Sequence, residues 1–122
     1  MTPEGKVVKD IKLAMKELGC AVRKCVWVGH SGAPDLFIMS APLAAGAAGR
    51  HLWVEVKAPG KKPTAHQLRE HEIMRKAGCQ VIVADNVIDV IRAVISDPPR
   101  TREWAVLAHW AAMLDKRRKH ER

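Results

Sequence analysis

The stretch "RHLWVEVKAPGKK", residues 50–62, alternates as a β-strand does and then breaks at Pro59-Gly60. Leu52, Val54 and Val56 fall on one face, and His51, Trp53, Glu55 and Lys57 fall on the other. The first face reads as core. The second carries a carboxylate and an ammonium two residues apart, beside a tryptophan. Either that face is wetted by solvent, as most polar strand faces are, or it lines a cleft that uses both charges.

The rest of the chain supplies neighbours for this strand. Residues 2–19, "TPEGKVVKDIKLAMKELG", read as a helix capped by Thr2, with Pro3 at the first helical position and Gly19 as the stop. Val8, Ile11, Met15 and Leu18 form its apolar stripe, which extended back by one turn brings Glu4 towards the buried side. "CAVRKCVWV" (20–28) has the β-branched content of a strand, with room for a bulge. "GHSGAP" is a turn, and "DLFIMS" is a short strand beginning at Asp35. Residues 41–49, "APLAAGAAG", read as a flexible loop joining two antiparallel strands.

After the opening strand and its turn, Thr64 starts a helix that runs to about Ala77, with Gly78 ending it. "QVIVAD" (80–85) is apolar throughout, as strands buried on both faces are. "NVIDVIRAVIS" reads as a short helix closed by Pro98 and Pro99. From Thr101 a last helix runs into a basic end, with Trp104, Leu107, Ala108, Ala111 and Leu114 on one side and Val106, Trp110 and Met113 on another. Helix, three strands, helix, strand, helix, helix predicts an α/β fold: a mixed four-stranded sheet flanked by helices, with a C-terminal helix. At 122 residues this is a single domain, drawn at 1–115 with a basic tail at 116–122.

If the strands from Asp35 and to Lys57 pair, Asp35 and Glu55 meet at one end of the sheet. Two partly buried carboxylates a few Å apart repel by several kcal/mol at an effective dielectric of about 20. That arrangement asks for a shared proton or a hard cation, and an all-oxygen donor set suits Mg²⁺ or Mn²⁺ rather than zinc. Lys57 lies about 6.6 Å further along the same face, within reach of a water or phosphate at such a cation. A cation beside an ammonium is equipment for hydrolysing a phosphodiester, because both offset the negative charge that grows in the transition state.

"GAPDLFI" followed some twenty residues later by "WVEVK" resembles the PD-(D/E)xK nuclease pattern, as Pro34-Asp35 and Glu55-Val56-Lys57. The early Glu4, the Gly60 turn, Gln67 in the next helix and "AGCQVIVAD" narrow the resemblance to the VRR-NUC branch, over roughly residues 4–90. Its stand-alone, phage or bacterial type is the nearest in form. The resemblance implies a restriction-endonuclease-like core and a Mg²⁺- or Mn²⁺-dependent endodeoxyribonuclease. Asp35 and Glu55 would be metal ligands with the Val56 carbonyl, and Glu4 would assist, through water. Lys57 would activate or orient the attacking water, and Gln67 would help hold Lys57 or the scissile phosphate. It also implies a homodimer selective for branched DNA, like a Holliday-junction resolvase. The alternatives are a nuclease of flap, nicking or restriction-like specificity, and a DNA-binding module that kept the fold without catalysis.

Several residues carry two readings. Glu4 also suits a helix's positive end. Gln67 completes a capping box with Thr64 as readily as it serves a site. His30 and Ser31 are turn residues or phosphate contacts, and Lys61 and Lys62 are solvated loop lysines or DNA contacts. His66 and His71, five apart on one helix, read as surface or cleft-edge residues. Of Trp104 and Trp110, six apart, one belongs to the core and the other is available to a dimer interface.

Composition bounds these readings. The net charge is +8; residues 116–122 hold five Lys or Arg against one Glu, which leaves +4 for the rest. A polyanionic partner such as DNA fits that balance. With no Tyr and one Phe, a single-strand binder built on base stacking does not fit. Cys20, Cys25 and Cys79 are odd in number and lack a C-x-x-C pair, so they are expected to be reduced core residues rather than a disulfide framework or zinc site. No apolar run approaches the roughly 20 residues of a membrane span and no signal peptide is evident, so the chain is expected to be cytoplasmic, without a small-molecule cofactor.

Overall fold

A computed structural model describes residues 1–40, 49–95 and 99–121. The elements are α1 (Pro3–Glu17), β1 (Ala21–Lys24), β2 (Leu36–Ser40), β3 (Arg50–Val56), α2 (Ala65–Lys76), β4 (Val81–Ala84), α3 (Val87–Val94) and α4 (Thr101–Glu121). They form one sheet in the order β1-β2-β3-β4. The first two pairings are antiparallel and β3–β4 is parallel, as the order of elements predicts. The expected loop at 41–49, except Gly49, and the stop at Pro98 lie outside the described residues.

The helix ends follow from local chemistry. Thr2 Oγ1 accepts from the Gly5 N–H at 3.0 Å, and Pro3 needs no partner for a missing N–H. At the other end Gly19 takes φ 79°, which lets the Cys20 N–H reach the Met15 carbonyl at 2.8 Å. A capping box closes the start of α2: Gln67 N–H donates to Thr64 Oγ1, and Thr64 N–H donates to Gln67 Oε1 at 2.9 Å.

The core lies on the face of the sheet that carries Ile38, Leu52, Val54 and Val56. Ile11, Ala14 and Met15 of α1, Val87, Val90 and Ile91 of α3, and Val106 and Trp110 of α4 pack onto it. Each fully buried aliphatic side chain contributes about 1.5–3 kcal/mol. Among the described residues, the helix on the other face, with Trp53 and Glu55, is α2, which buries His71 and Met74 there. One sheet therefore has a dry face of three helices and a polar face under a single helix.

Four expectations are corrected. β1 stops at Lys24, and Val26 and Val28 are exposed, because the five-residue β2 offers only the rungs Ala21↔Met39 to Lys24↔Leu36. β4 is only half-buried at Ile82 and Val83, since it is an edge strand. In α1 the buried stripe is Val7, Ile11, Ala14 and Met15, and Glu4 is exposed in the first turn, where a carboxylate finds both water and the helix's positive end. In α4 the buried residues are Glu103, Val106 and Trp110, whereas Trp104 is 55% exposed. Trp110 is thus the core tryptophan. The three cysteines are free and half-buried, and of them Cys20 packs against the core.

The basic segment is the end of α4 itself, helical through Glu121. It is anchored: Arg117 Nη1 donates to Asp10 Oδ2 at 2.7 Å, and Lys6 Nζ donates to Asp10 Oδ1 at 3.2 Å. Asp10 sits on the buried side of α1, so these cations compensate a carboxylate that would otherwise be desolvated alone. Among the described residues no helix is long and apolar enough to cross a membrane.

Candidate active site

Antiparallel register builds the site. Leu36 pairs with Val54, so the next step outward sets Asp35 opposite Glu55. Asp35 is held at both levels. Its carbonyl accepts from the Cys25 N–H at 2.9 Å, and its Oδ2 accepts from the Val56 N–H at 2.7 Å. The buried Pro34 fixes the approach of the chain. The sequence expectation that Asp35 and Glu55 meet at one end of the sheet is met.

Glu55 is only 2% exposed. Burial, then the hydrogen bond and the charge of Asp35, push its carboxyl up to about 8, with Glu4 adding to the rise and Lys57 opposing it. Glu55 Oε1 has no hydrogen-bond partner. Lys57 continues the same face; its N–H donates to the Ala84 carbonyl at 2.9 Å, and its side chain is half-buried. Glu4 is solvent-exposed, yet its charge reaches Glu55. The site therefore joins the ends of β2 and β3 with the start of α1.

His71 is the residue that sequence reasoning misplaced. It is no surface histidine: α2 carries it to the polar face of the sheet, fully buried, with Nε2 3.5 Å from Glu55 Oε1. Burial, then the charges of Arg75 and Lys57, hold its imidazole below the usual histidine range. Neither ring nitrogen has a hydrogen-bond partner. The available signal is indirect, since His71 lies three residues from Met74 and the two are the buried pair of α2.

The remaining candidates lie around this centre. Gln67 Oε1 is engaged in the capping box. His30 and Ser31 face α2: His30 Nε2 lies 3.2 Å from Glu70 Oε2, and Ser31 Oγ lies 2.9 Å from His66 Nε2. Trp27 Nε1 donates to Glu70 Oε1 at 2.9 Å. Gly32, at φ 96°, passes so close that a Cβ there would stand 3.1 Å from His66 Nε2. These contacts clasp the chain leading into Asp35 onto the helix that carries His71. Lys61 and Lys62 are exposed on the turn beyond Lys57. That turn is pinned by the Gly60 N–H donating to Asp85 Oδ2 at 3.0 Å, a contact that also holds the Asp85 carboxyl below the usual carboxylate range.

The arrangement fits a hard divalent cation. Its donors are carboxylate oxygens, and the two carboxylates oppose each other unless a proton or a cation lies between them. Among the described residues no cluster of three or more His, Cys, Asp or Glu forms a ready cage, so such a cation would share two side chains with backbone and water oxygens.

No family model matches the chain. A phage protein described as "Putative nuclease p44", from Acyrthosiphon pisum secondary endosymbiont phage 1, is 39% identical over 83 residues, spanning 68% of this chain and 83% of that protein. A solved structure described as "VRR_NUC domain" superposes with a TM-score of 0.63 at 41% identity, over 75% of this chain and 94% of that one. The chain belongs to the VRR-NUC family. Its mixed sheet, flanking helices and C-terminal helix are the fold of that family, and its relatives place it among nucleases. The VRR-NUC resemblance read from Asp35, Glu55 and Lys57 thus stands.

Proposed function

We propose that this VRR-NUC protein is a Mg²⁺- or Mn²⁺-dependent endodeoxyribonuclease acting on branched DNA as a homodimer. The observation that carries the reading is the abutting pair Asp35–Glu55, set opposite each other by the β2–β3 register, with the Glu55 carboxyl pushed up to about 8. Asp35, Glu55 and the Val56 carbonyl would hold the cation, and Glu4 would reach it through water. When bound, the cation supplies positive charge against the phosphate and acidifies water.

The chain's own residues do the rest. Lys57 places an ammonium on the face where the phosphate lies, offsetting charge in the transition state and orienting the attacking water. Gln67 keeps its amide N–H groups for the phosphate, while its oxygen, the atom that could accept from Lys57, caps α2. Lys61 and Lys62, on their pinned turn, extend the cationic surface along the DNA backbone, and His30 and Ser31 border it. A second copy related by two-fold symmetry would present two such sites to two strands. The exposed Trp104 supplies an apolar anchor for that contact. The overall charge of +8 favours a polyanionic substrate.

The test is cleavage of a labelled four-way junction, a flap and a linear duplex, with and without Mg²⁺ or Mn²⁺. Junction cleavage that needs metal and falls about 100-fold or more in Lys57→Ala is expected. Cleavage without metal, or cleavage that survives Lys57→Ala, would remove the catalytic assignment. Equal cutting of linear duplex would leave a nuclease of another specificity. Elution at the monomer mass on gel filtration would remove the dimer.

A further inference from the structure

Three polar atoms meet unpartnered behind the carboxylate pair: Glu55 Oε1 and both ring nitrogens of His71. Buried groups of this kind are costly to leave unsatisfied. Nε2 and Oε1 are 3.5 Å apart, so closing about half an Å brings them to ordinary hydrogen-bond distance and satisfies two of the three at once. The helix bearing His71 is held to the site independently, by the Glu70 and His66 contacts to the chain entering Asp35.

Asp35 offers a parallel. One of its oxygens, Oδ2, is tied to the protein by the Val56 N–H. Glu55 meets Asp35 through its other oxygen, because Oε1 has no partner and faces His71. The geometry points to His71 as a positioning residue: its Nε2–H holds Glu55 Oε1, so that Glu55 presents one oxygen to the cation, as Asp35 does. Metal-ligating carboxylates are oriented by such outer hydrogen bonds, whose loss costs 10- to 100-fold in metal affinity. This inference rests on the metal-dependent reading above and names a residue which that reading does not use.

Two measurements test it. In the metal-free protein labelled with ¹⁵N-histidine, long-range ¹H–¹⁵N correlation reports the tautomer without any substitution. The Nε2–H tautomer of His71 is expected, and the Nδ1–H tautomer overturns the inference. Mn²⁺ binding by calorimetry is then compared among the wild type, His71→Gln and His71→Phe. Gln places an amide N–H near the Nε2 position, whereas Phe fills the space without a donor.

Binding about 10- to 100-fold weaker in His71→Phe, with recovery to within a few-fold in His71→Gln, is expected. Thermal denaturation without metal confirms that each variant is folded. Wild-type affinity in a folded His71→Phe overturns the inference and leaves the metal site standing. A wild type that binds no Mn²⁺ overturns the metal reading itself, and the inference with it. Should His71→Phe fail to fold, the tautomer decides alone.

Discussion

The Val56 N–H donates to Asp35 Oδ2 at 2.7 Å, so a candidate metal ligand is also the partner of a β3 backbone group that lies past the end of β2. This double duty separates two substitutions. Asp35→Asn keeps an acceptor for the Val56 N–H but loses the charge. It should melt near the wild type while cleaving at least about 100-fold more slowly. Asp35→Ala loses the acceptor too, and should cost about 1–3 kcal/mol more in urea denaturation. Equal stability of the two variants would mean that the hydrogen bond contributes nothing.

The metal-free protein should lose stability as pH rises. The Glu55 carboxyl is pushed from about 4.5 to about 8, chiefly by burial and then by Asp35. A folded-state value above the unfolded one means that the folded chain holds the proton more tightly. This contribution is fully present below about 4.5 and is lost as pH rises through about 8. Its size is on the order of a few kcal/mol for a carboxyl so little exposed. Urea midpoints measured from pH 5 to 8 should fall in the wild type, recover at pH 8 on adding Mg²⁺, and stay flatter in Glu55→Gln. An equally steep fall in Glu55→Gln would assign the effect to another group.

Arg117→Ala should destabilise the fold through Asp10. It leaves the carboxylate, whose side chain is 5% exposed, with Lys6 alone. A fully buried pair broken in this way costs 3–5 kcal/mol. Arg117 is partly exposed, so about 1–3 kcal/mol is expected after solvent screening. The double variant Asp10→Asn with Arg117→Ala should recover part of the loss. Additive losses would show that the two residues do not interact.

Much of this site was legible because a strand's period of two and an antiparallel register are short-range rules. Placing Asp35 at the start of one strand and Glu55 near the end of the next was enough to bring them opposite each other. The burial of His71 was not, since α2 is mostly polar outside and exposes Leu68 and Ile73. An apolar stripe there would not have selected a histidine, and the angle at which the helix crosses the sheet decides which residue descends onto Glu55. Asp10 was hidden for a different reason: its cation Arg117 lies 107 residues away. β1 was overestimated because strand composition says nothing about how many residues the partner strand offers.

Alternation in β3 has a consequence for how such a chain changes over generations. Val54 and Val56 point into the core while Glu55 points to the opposite face, beneath α2, so adding or deleting one residue in this strand would exchange the two sets. A frame error of that kind would drive a carboxylate into the hydrophobic layer and turn a valine towards His71. Folding would fail before cleavage could be lost gradually. Length changes here are thus removed by quality control at once, whereas single substitutions at Asp35 or Lys57 could leave a folded, silent descendant.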